Sequence, residues 1–216
     1  MITDLLLTHN KFSKSQILKK YPRLKAKIFI IPHGNYTSFI KIRNDKMSSR
    51  VYLGLDEHKK IILFFGMIKK VKGLDVLLES FKKVVDENPD TILLIAGRPW
   101  KDDFSNYQRI IEKNNLEKNI VLHTRYISQN DVEHYYCASD LVVLPYKKIY
   151  QSGVLMMALS YEKPVLVSDL PPLKEIIIDN KTGFLFESEN INDLAVRLNL
   201  ILSSFEKLEK VRENGS

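Results

Sequence analysis

Three short stretches carry residue types able to hold an anion or a hydroxyl. In "GMIKKVKG", Gly66 to Gly73, the lysines Lys69, Lys70 and Lys72 stand between two glycines just ahead of an apolar-periodic segment. Glycine lets backbone approach a ligand, a helix N-terminus carries partial positive charge, and a lysine adds a full one. That combination suits a phosphate, with solvated lysines as the alternative. The spacing matches neither G-x-x-x-x-G-K-[ST] nor G-x-G-x-x-G, so the signatures of P-loops and dinucleotide sites are absent. In "QSGVLMMALSY", Gln151, Ser152 and Gly153 precede an apolar helix, where the N–H groups of Ser152, Gly153 and Val154 are expected as free donors for an anion. Leu155, Met156, Met157 and Leu159 read as core. Glu175 closes "SDLPPLKE", where a carboxylate can accept from sugar or ribose hydroxyls or stand solvated in a helix turn. Asp102 and Asp103, near Trp100, show no metal-ligand constellation. His123 and His134 read as structural, and His33, after Pro32, as a hinge contact or a chemical group.

These residues need a frame, and the pattern of apolar runs supplies one. "KIILFFG", "TILLIAG", "NIVLHT", "DLVVLPY" and "KPVLVSD" read as strands, separated by segments of helical spacing such as Leu74, Leu77, Leu78, Phe81, Val84 and Val85. "PPLKEIII" reads as a short helix, "FLF" as a stub of strand, and Asn190 to about Arg212 as a last amphipathic helix. Strands of near-continuous Ile, Leu and Val alternating with helices imply a parallel sheet covered on both faces. The fold class is therefore α/β, a doubly wound, mostly parallel Rossmann-like sheet with a short N-terminal β/α appendage. In the appendage "DLLLTH" and "AKIFIIP" flank "FSKSQILKKY", whose Ser13 and Gln16 have capping-box spacing. From Pro32 to about His58 the sequence is polar and weakly periodic and reads as a linker. In an open parallel sheet ligands bind beyond the carboxyl ends of the strands, and that rule selects the loops holding Gly66, Lys69, Lys72, Gln151, Ser152, Gly153 and Glu175.

The chain has 216 residues, 44% of them hydrophobic, enough for one α/β domain with an appendage. It has no run of about 18 apolar residues and no signal-peptide pattern, so a soluble, cytoplasmic protein is expected. The single cysteine, Cys137, excludes an internal disulfide and a cysteine-cluster metal site. The net charge of +7 is concentrated at the start: residues 1–60 hold 13 Lys/Arg against 4 Asp/Glu, and the remainder 20 against 22. Such a segment suits a plain solvated surface or linker, an anionic membrane surface or an acidic partner; no nucleic-acid motif accompanies it.

Taken in order, "FFGMIKKVKGLDVLLESF", "PDTILLIAG", "DLVVLPY", "SGVLMMALSYEKPVLVSD" and "KEIIIDNKTGFLF" resemble the C-terminal half of a glycosyltransferase family 4 enzyme. "TDLLLTHNKF" and "IIPHGNY" are similar to that family's last N-lobe strand and interlobe linker. The resemblance implies a GT-B architecture of two Rossmann-like lobes, with residues 1–58 as the remnant of the N-terminal lobe and its linker, and 59–216 as the nucleotide-sugar-binding domain. It implies retaining sugar transfer from a UDP- or GDP-sugar to a glycan or lipid-linked acceptor, without metal or cofactor. Carried over, Gly66 matches the phosphate-loop glycine, Lys72 the lysine that neutralises the leaving diphosphate, Gly153 the glycine beneath the phosphates, and Glu175 the glutamate of the family's "PE" step. Met67 stands where the family usually has arginine, and Lys69 is the nearest substitute. The family's pair of glutamates eight residues apart is missing, with Met157 at the second position. Bacterial polysaccharide and capsule glycosyltransferases with "QSG" before an apolar helix are similar in this respect, and Gln151 and Ser152 are the expected substitutes. Most of the N-terminal lobe is not in the chain, which reads as a fragment, an excised domain, or a subunit that docks a separate N-terminal lobe, at an inner membrane face or free in the cytoplasm.

Overall fold

The structure, a computed structural model, describes residues 4–24, 26–40, 44–101 and 103–204. Its centre is a six-stranded parallel sheet made of β3 (Lys60–Phe65), β4 (Thr91–Ala96), β5 (Ile120–His123), β6 (Leu141–Leu144), β7 (Val165–Ser168) and β8 (Phe184–Phe186). The strand order β5-β4-β3-β6-β7-β8 reverses direction between β3 and β6. All pairs are parallel, so every carboxyl end lies along one edge.

Both faces of the sheet are covered, which is why its strands are apolar throughout and not alternating. Ile62, Phe64, Leu93, Ile95 and Val143 pack against α3 (Leu74–Glu87), α4 (Ser105–Lys113) and α8 (Ile191–Leu202). On the other face Ile61, Leu63, Leu94, Val142 and Leu144 meet α5 (Gln129–Ala138), α6 (Gly153–Ser160) and α7 (Pro171–Lys174). Ile61, Ile62 and Leu63 are fully buried, each burial stabilising by about 1.5–3 kcal/mol. His123 shares a 2.8 Å hydrogen bond with the Tyr135 hydroxyl, and the His134 ring stacks on Tyr52 with centroids 3.9 Å apart. Both are structural. The expected last helix ends at Leu202; the part of it placed at 205–212 lies outside the described residues, as does Asp102.

The N-terminal appendage is β1 (Leu5–Thr8), α1 (Lys11–Lys20) and β2 (Lys27–Ile30), the two strands pairing in parallel. Asn10, not Ser13, is the N-cap of α1: its Oδ1 accepts from the Ser13 N–H at 2.7 Å. Ser13 is thus the residue receiving the cap.

The stretch read as a linker holds a second departure. Residues Lys46–Leu53 form α2, capped by Asp45 through the Ser48 N–H and closed by Gly54 in the left-handed region. The helix packs on α5, and its Arg50 is 3% exposed. The guanidinium donates to the carbonyls of Ala138 and Glu57 and, at 2.9 Å, to Asp140, which also accepts from the Ile61 N–H and pairs with Lys46. α2 is therefore packed against the Rossmann-like unit. Two of its three buried residues, Ser49 and Arg50, are polar and the third is Leu53, so apolar periodicity does not reveal it.

Candidate functional site

Open parallel sheets bind ligands in the crevice beyond their carboxyl ends where the strand order reverses, here between β3 and β6. Gly66 ends β3 with φ +102°, and its N–H donates to Ala96 O at 2.9 Å. The loops after β3 and β4 are joined by Ile68 N–H to Arg98 O and Trp100 N–H to Ile68 O, both 3.0 Å, while Lys147 N–H to Val71 O ties in the loop after β6. Two glycines make this packing feasible. A Cβ on Gly73 (φ +68°) would lie 1.8 Å from Pro145 O, and one on Gly97 (φ +139°) 2.0 Å from Gly66 O.

Lys72 ends a 3-10 turn, Lys70–Lys72, and its Nζ lies 3.7 Å from the centroid of the buried Tyr146 ring. It has no carboxylate partner among the described residues. Burial and the nearby Lys69 ammonium hold its pKa down, at about 8. Lys69 and Arg98 both approach the Trp100 ring, at 5.8 and 5.2 Å. Met67, at the place of the family's arginine, is exposed.

Facing these cations is the start of α6. Ser152 is its N-cap: Oγ accepts from the Leu155 N–H at 3.1 Å and lies 3.3 Å from the Tyr146 hydroxyl, while Ser152 O accepts from Met156. The Ser152 side chain is buried in that role. Burial pushes the Tyr146 phenol upward, so it stays a neutral donor. The N–H groups of Gly153 and Val154 are left without partners among the described residues. A Cβ on Gly66 would sit 3.2 Å from Val154 Cγ2, and one on Gly153 3.3 Å from the Tyr36 hydroxyl, so the two glycine turns adjoin. Tyr36 is anchored by its own N–H to Ser160 Oγ at 2.9 Å.

Gln151, Ser152 and Glu175 line a cavity of about 430 Å³ between the appendage and α6–α7. Glu175 is not free in it. Its Oε1 accepts from Phe12 N–H at 2.7 Å and Oε2 from Lys11 N–H at 2.9 Å, so it caps α1. A second cavity, of about 590 Å³, is walled by Tyr36, Phe39, Glu133, Met157 and Tyr161. Met157, read as core, is half-buried on that wall. Gly66, Lys69, Lys72 and Gly153 thus gather at the crevice, Gln151 and Glu175 at the adjoining cavity, and Ser152 at the boundary. Tyr146 was missed, although it sits in a loop already selected by the strand-end rule. His9 and Asn10 gave no signal short of the tertiary structure. No group of three or more potential metal ligands occurs among the described residues.

Residues 45–216 match the family model described as Glycosyl transferases group 1. Spore coat protein SA of Bacillus subtilis (strain 168) is 28% identical over 189 residues, 83% of this chain and 48% of its own length. A D-inositol 3-phosphate glycosyltransferase of Corynebacterium aurimucosum is 23% identical over 208 residues, 92% of this chain and 48% of its own. The chain spans about half the length of the curated relatives it matches. Among solved structures, Anabaena HepE in complex with UDP and glucose aligns with a TM-score of 0.87 at 16% identity, covering 99% of this chain and 57% of that one. The C-terminal domain of a glycosyl transferase group 1 family protein from Francisella tularensis aligns at 0.71 and 22% identity, covering 84% and 94%.

Proposed function

The chain belongs to the glycosyl transferases group 1 family, and from that premise we propose that it is the donor-binding, C-terminal lobe of a family 4 enzyme that moves a hexosyl group from a nucleotide sugar to a glycan or lipid-linked acceptor with retention. The observation that carries this reading is Lys72, a partly buried cation held over Tyr146, together with the N–H groups of Gly153 and Val154; among the described residues the lysine has no carboxylate partner and those N–H groups have no acceptor. A diphosphate placed between them receives one full positive charge and two backbone donors. As the glycosidic bond breaks, negative charge grows on the departing nucleoside diphosphate, and preorganised donors stabilise it without reorganisation. The reading assigns no metal and no cofactor to the site; Lys72 supplies the cation. HepE, whose structure holds UDP and glucose, has this fold and supports a UDP-sugar as the first donor to try.

Titrating UDP-, GDP- and ADP-sugars against the chain by calorimetry tests the proposal. Binding of one of them, weakened in Lys72→Met, is expected; no binding by any, with circular dichroism unchanged, would sink it. A second reading, nucleotide binding without transfer, is favoured by Met67 and Met157 standing where the resembled family has charged groups. Release of sugar from the bound donor, measured in the presence of candidate acceptors, separates the two. The cationic excess of residues 1–60 extends the proposal to attachment at an anionic membrane face, where a lipid-linked acceptor would lie. Salt-sensitive sedimentation with anionic vesicles checks that extension.

A further inference from the structure

The first turn of α6 is flanked on two sides. Val154 Cγ2 stands 3.2 Å from the place of a Gly66 Cβ, and on the side of Gly153 the nearest group is the Tyr36 hydroxyl, 3.3 Å from where a Cβ would lie. Tyr36 belongs to the linker between the appendage and α2, and its backbone is fixed at the other end of the same helix. Its N–H donates to Ser160 Oγ at 2.9 Å, Ser160 Oγ donates to Met156 O at 2.8 Å, and Tyr36 O accepts from Phe39 N–H at 2.9 Å where the 3-10 turn Thr37–Phe39 begins. From Ser160 to Gly153 a helix rises about 10 Å, so the side chain runs back along α6 from its last turn to its first. The ring lies 5.8 Å from that of His33 and walls the 590 Å³ cavity together with Met157 and Tyr161. Phenylalanine would fill that wall equally well. The hydroxyl at the tip makes no hydrogen bond among the described residues. A phenol donor beside two N–H groups, none of them with an acceptor among the described residues, is an arrangement that an oxyanion completes.

We infer that Tyr36 is a further ligand-binding residue, whose hydroxyl donates to a phosphate oxygen of the nucleotide held at Gly153 and Val154, and that the ligand thereby fastens the linker to α6. The inference rests on the nucleotide-sugar reading above. It adds a third donor from outside the strand-end loops, and with it a coupling. By linkage, the factor by which the hydroxyl tightens the ligand is the factor by which the ligand stabilises the docked linker. Glycine at position 153 is what lets the hydroxyl stand this close to the helix start; the Cβ of an alanine would press on it.

The experiment measures the affinities of the intact chain and of Tyr36→Phe for UDP, GDP, ADP and inorganic pyrophosphate. It also follows hydrogen exchange of the Tyr36 N–H with and without the nucleotide that binds most tightly. Tyr36→Phe keeps the ring and removes only the oxygen. Affinity for that nucleotide and for pyrophosphate should each fall about 10-fold, the loss of one hydrogen bond to a charged acceptor. In the intact chain the bound nucleotide should slow exchange of the Tyr36 N–H, the one bonded to Ser160, about 10-fold more than it does in Tyr36→Phe. A ring that only packs would shift the urea midpoint on substitution and move neither quantity. Three results would each overturn the inference: nucleotide affinity unchanged in Tyr36→Phe; a loss for the nucleotide with none for pyrophosphate, which puts the hydroxyl on the nucleoside instead; or equal slowing of exchange in both proteins. If the intact chain binds no nucleotide, or pyrophosphate does not compete with the one that binds, the nucleotide-sugar reading itself fails.

Discussion

The unit β3–α3–β4 and the unit β1–α1–β2 have the same order of elements and the same parallel pairing, yet they are held by different forces. α3 buries seven residues, among them Leu74, Leu77 and Phe81, whereas α1 buries none. β3 is buried along its middle, while Leu5, Leu7, Phe29 and Ile31 remain about half exposed. The first unit is fixed by apolar burial. The second is fixed to the rest by polar contacts at one helix end: Glu175 to Lys11 and Phe12, and Asn10 to Tyr150, with the Phe12 and Tyr150 rings 6.0 Å apart. A local β-α-β pattern thus says little about how firmly a unit is seated. The partner face decides.

Four changes bear on that contrast, and the largest strikes the buried unit. Gly73→Ala should cost about 4 kcal/mol or more, because the Cβ collides with Pro145 O and the backbone is left-handed. The urea midpoint reports it, and a near-native midpoint would break the claim that these loops pack backbone to backbone. Arg50→Met leaves the buried Asp140 with only the exposed Lys46 as counter-charge and should cost about 3 kcal/mol in the same measurement. Equal loss of protection in β1–α1–β2, read by hydrogen exchange, would show the two units to be one cooperative body. Lys72→Met should weaken nucleotide binding about 10- to 100-fold.

Lys72 also predicts a pH dependence. The anion needs the charged lysine, so wild-type affinity should be level below about pH 8 and fall above it, and Lys72→Arg should abolish the fall. Folding depresses this lysine from 10.5, so the unfolded chain binds more protons between about pH 8 and 10.5, and its contribution to stability rises across that window. Glu175→Gln should have the smallest effect, about 1 kcal/mol of local opening. Amides of α1 would exchange faster while β3 and β4 keep their rates, which is the sharpest form of the contrast.

The sequence makes the buried unit legible for the reason that makes it stable. Runs such as "KIILFF" and "TILLIA" are covered on both sides, and strand ends then point to the loops of Gly66, Gly97, Pro145 and Ser168 without any motif. α2 escapes because two of its three buried side chains, Ser49 and Arg50, are polar and meet partners 85 to 90 positions away. The start of α1 is misplaced because Ser13 and Gln16 imitate a capping box while Asn10 has the better partner. Ser152 and Glu175 show the limit for sites. Their positions beside the crevice and cavity follow from spacing, but a hydroxyl or carboxylate engaged with backbone looks the same in sequence as one that is free.

Under the proposed reading, the contact of Gly73 with Pro145 and of Gly97 with Gly66 bears on how the bound donor could change. Gly73 and Gly97 each press against the main chain of a neighbouring loop, so no side chain fits at either glycine without breaking the sheet's edge. The phosphate end works as a fixed gauge. Variation in what is bound has to come from the periphery, at Arg98 and Trp100 on one side and at Ile149 to Gln151 on the other, where side chains can be exchanged without touching the hinge of the fold. A library randomised at those positions should yield folded proteins with altered preference, and one randomised at the glycines should yield almost none.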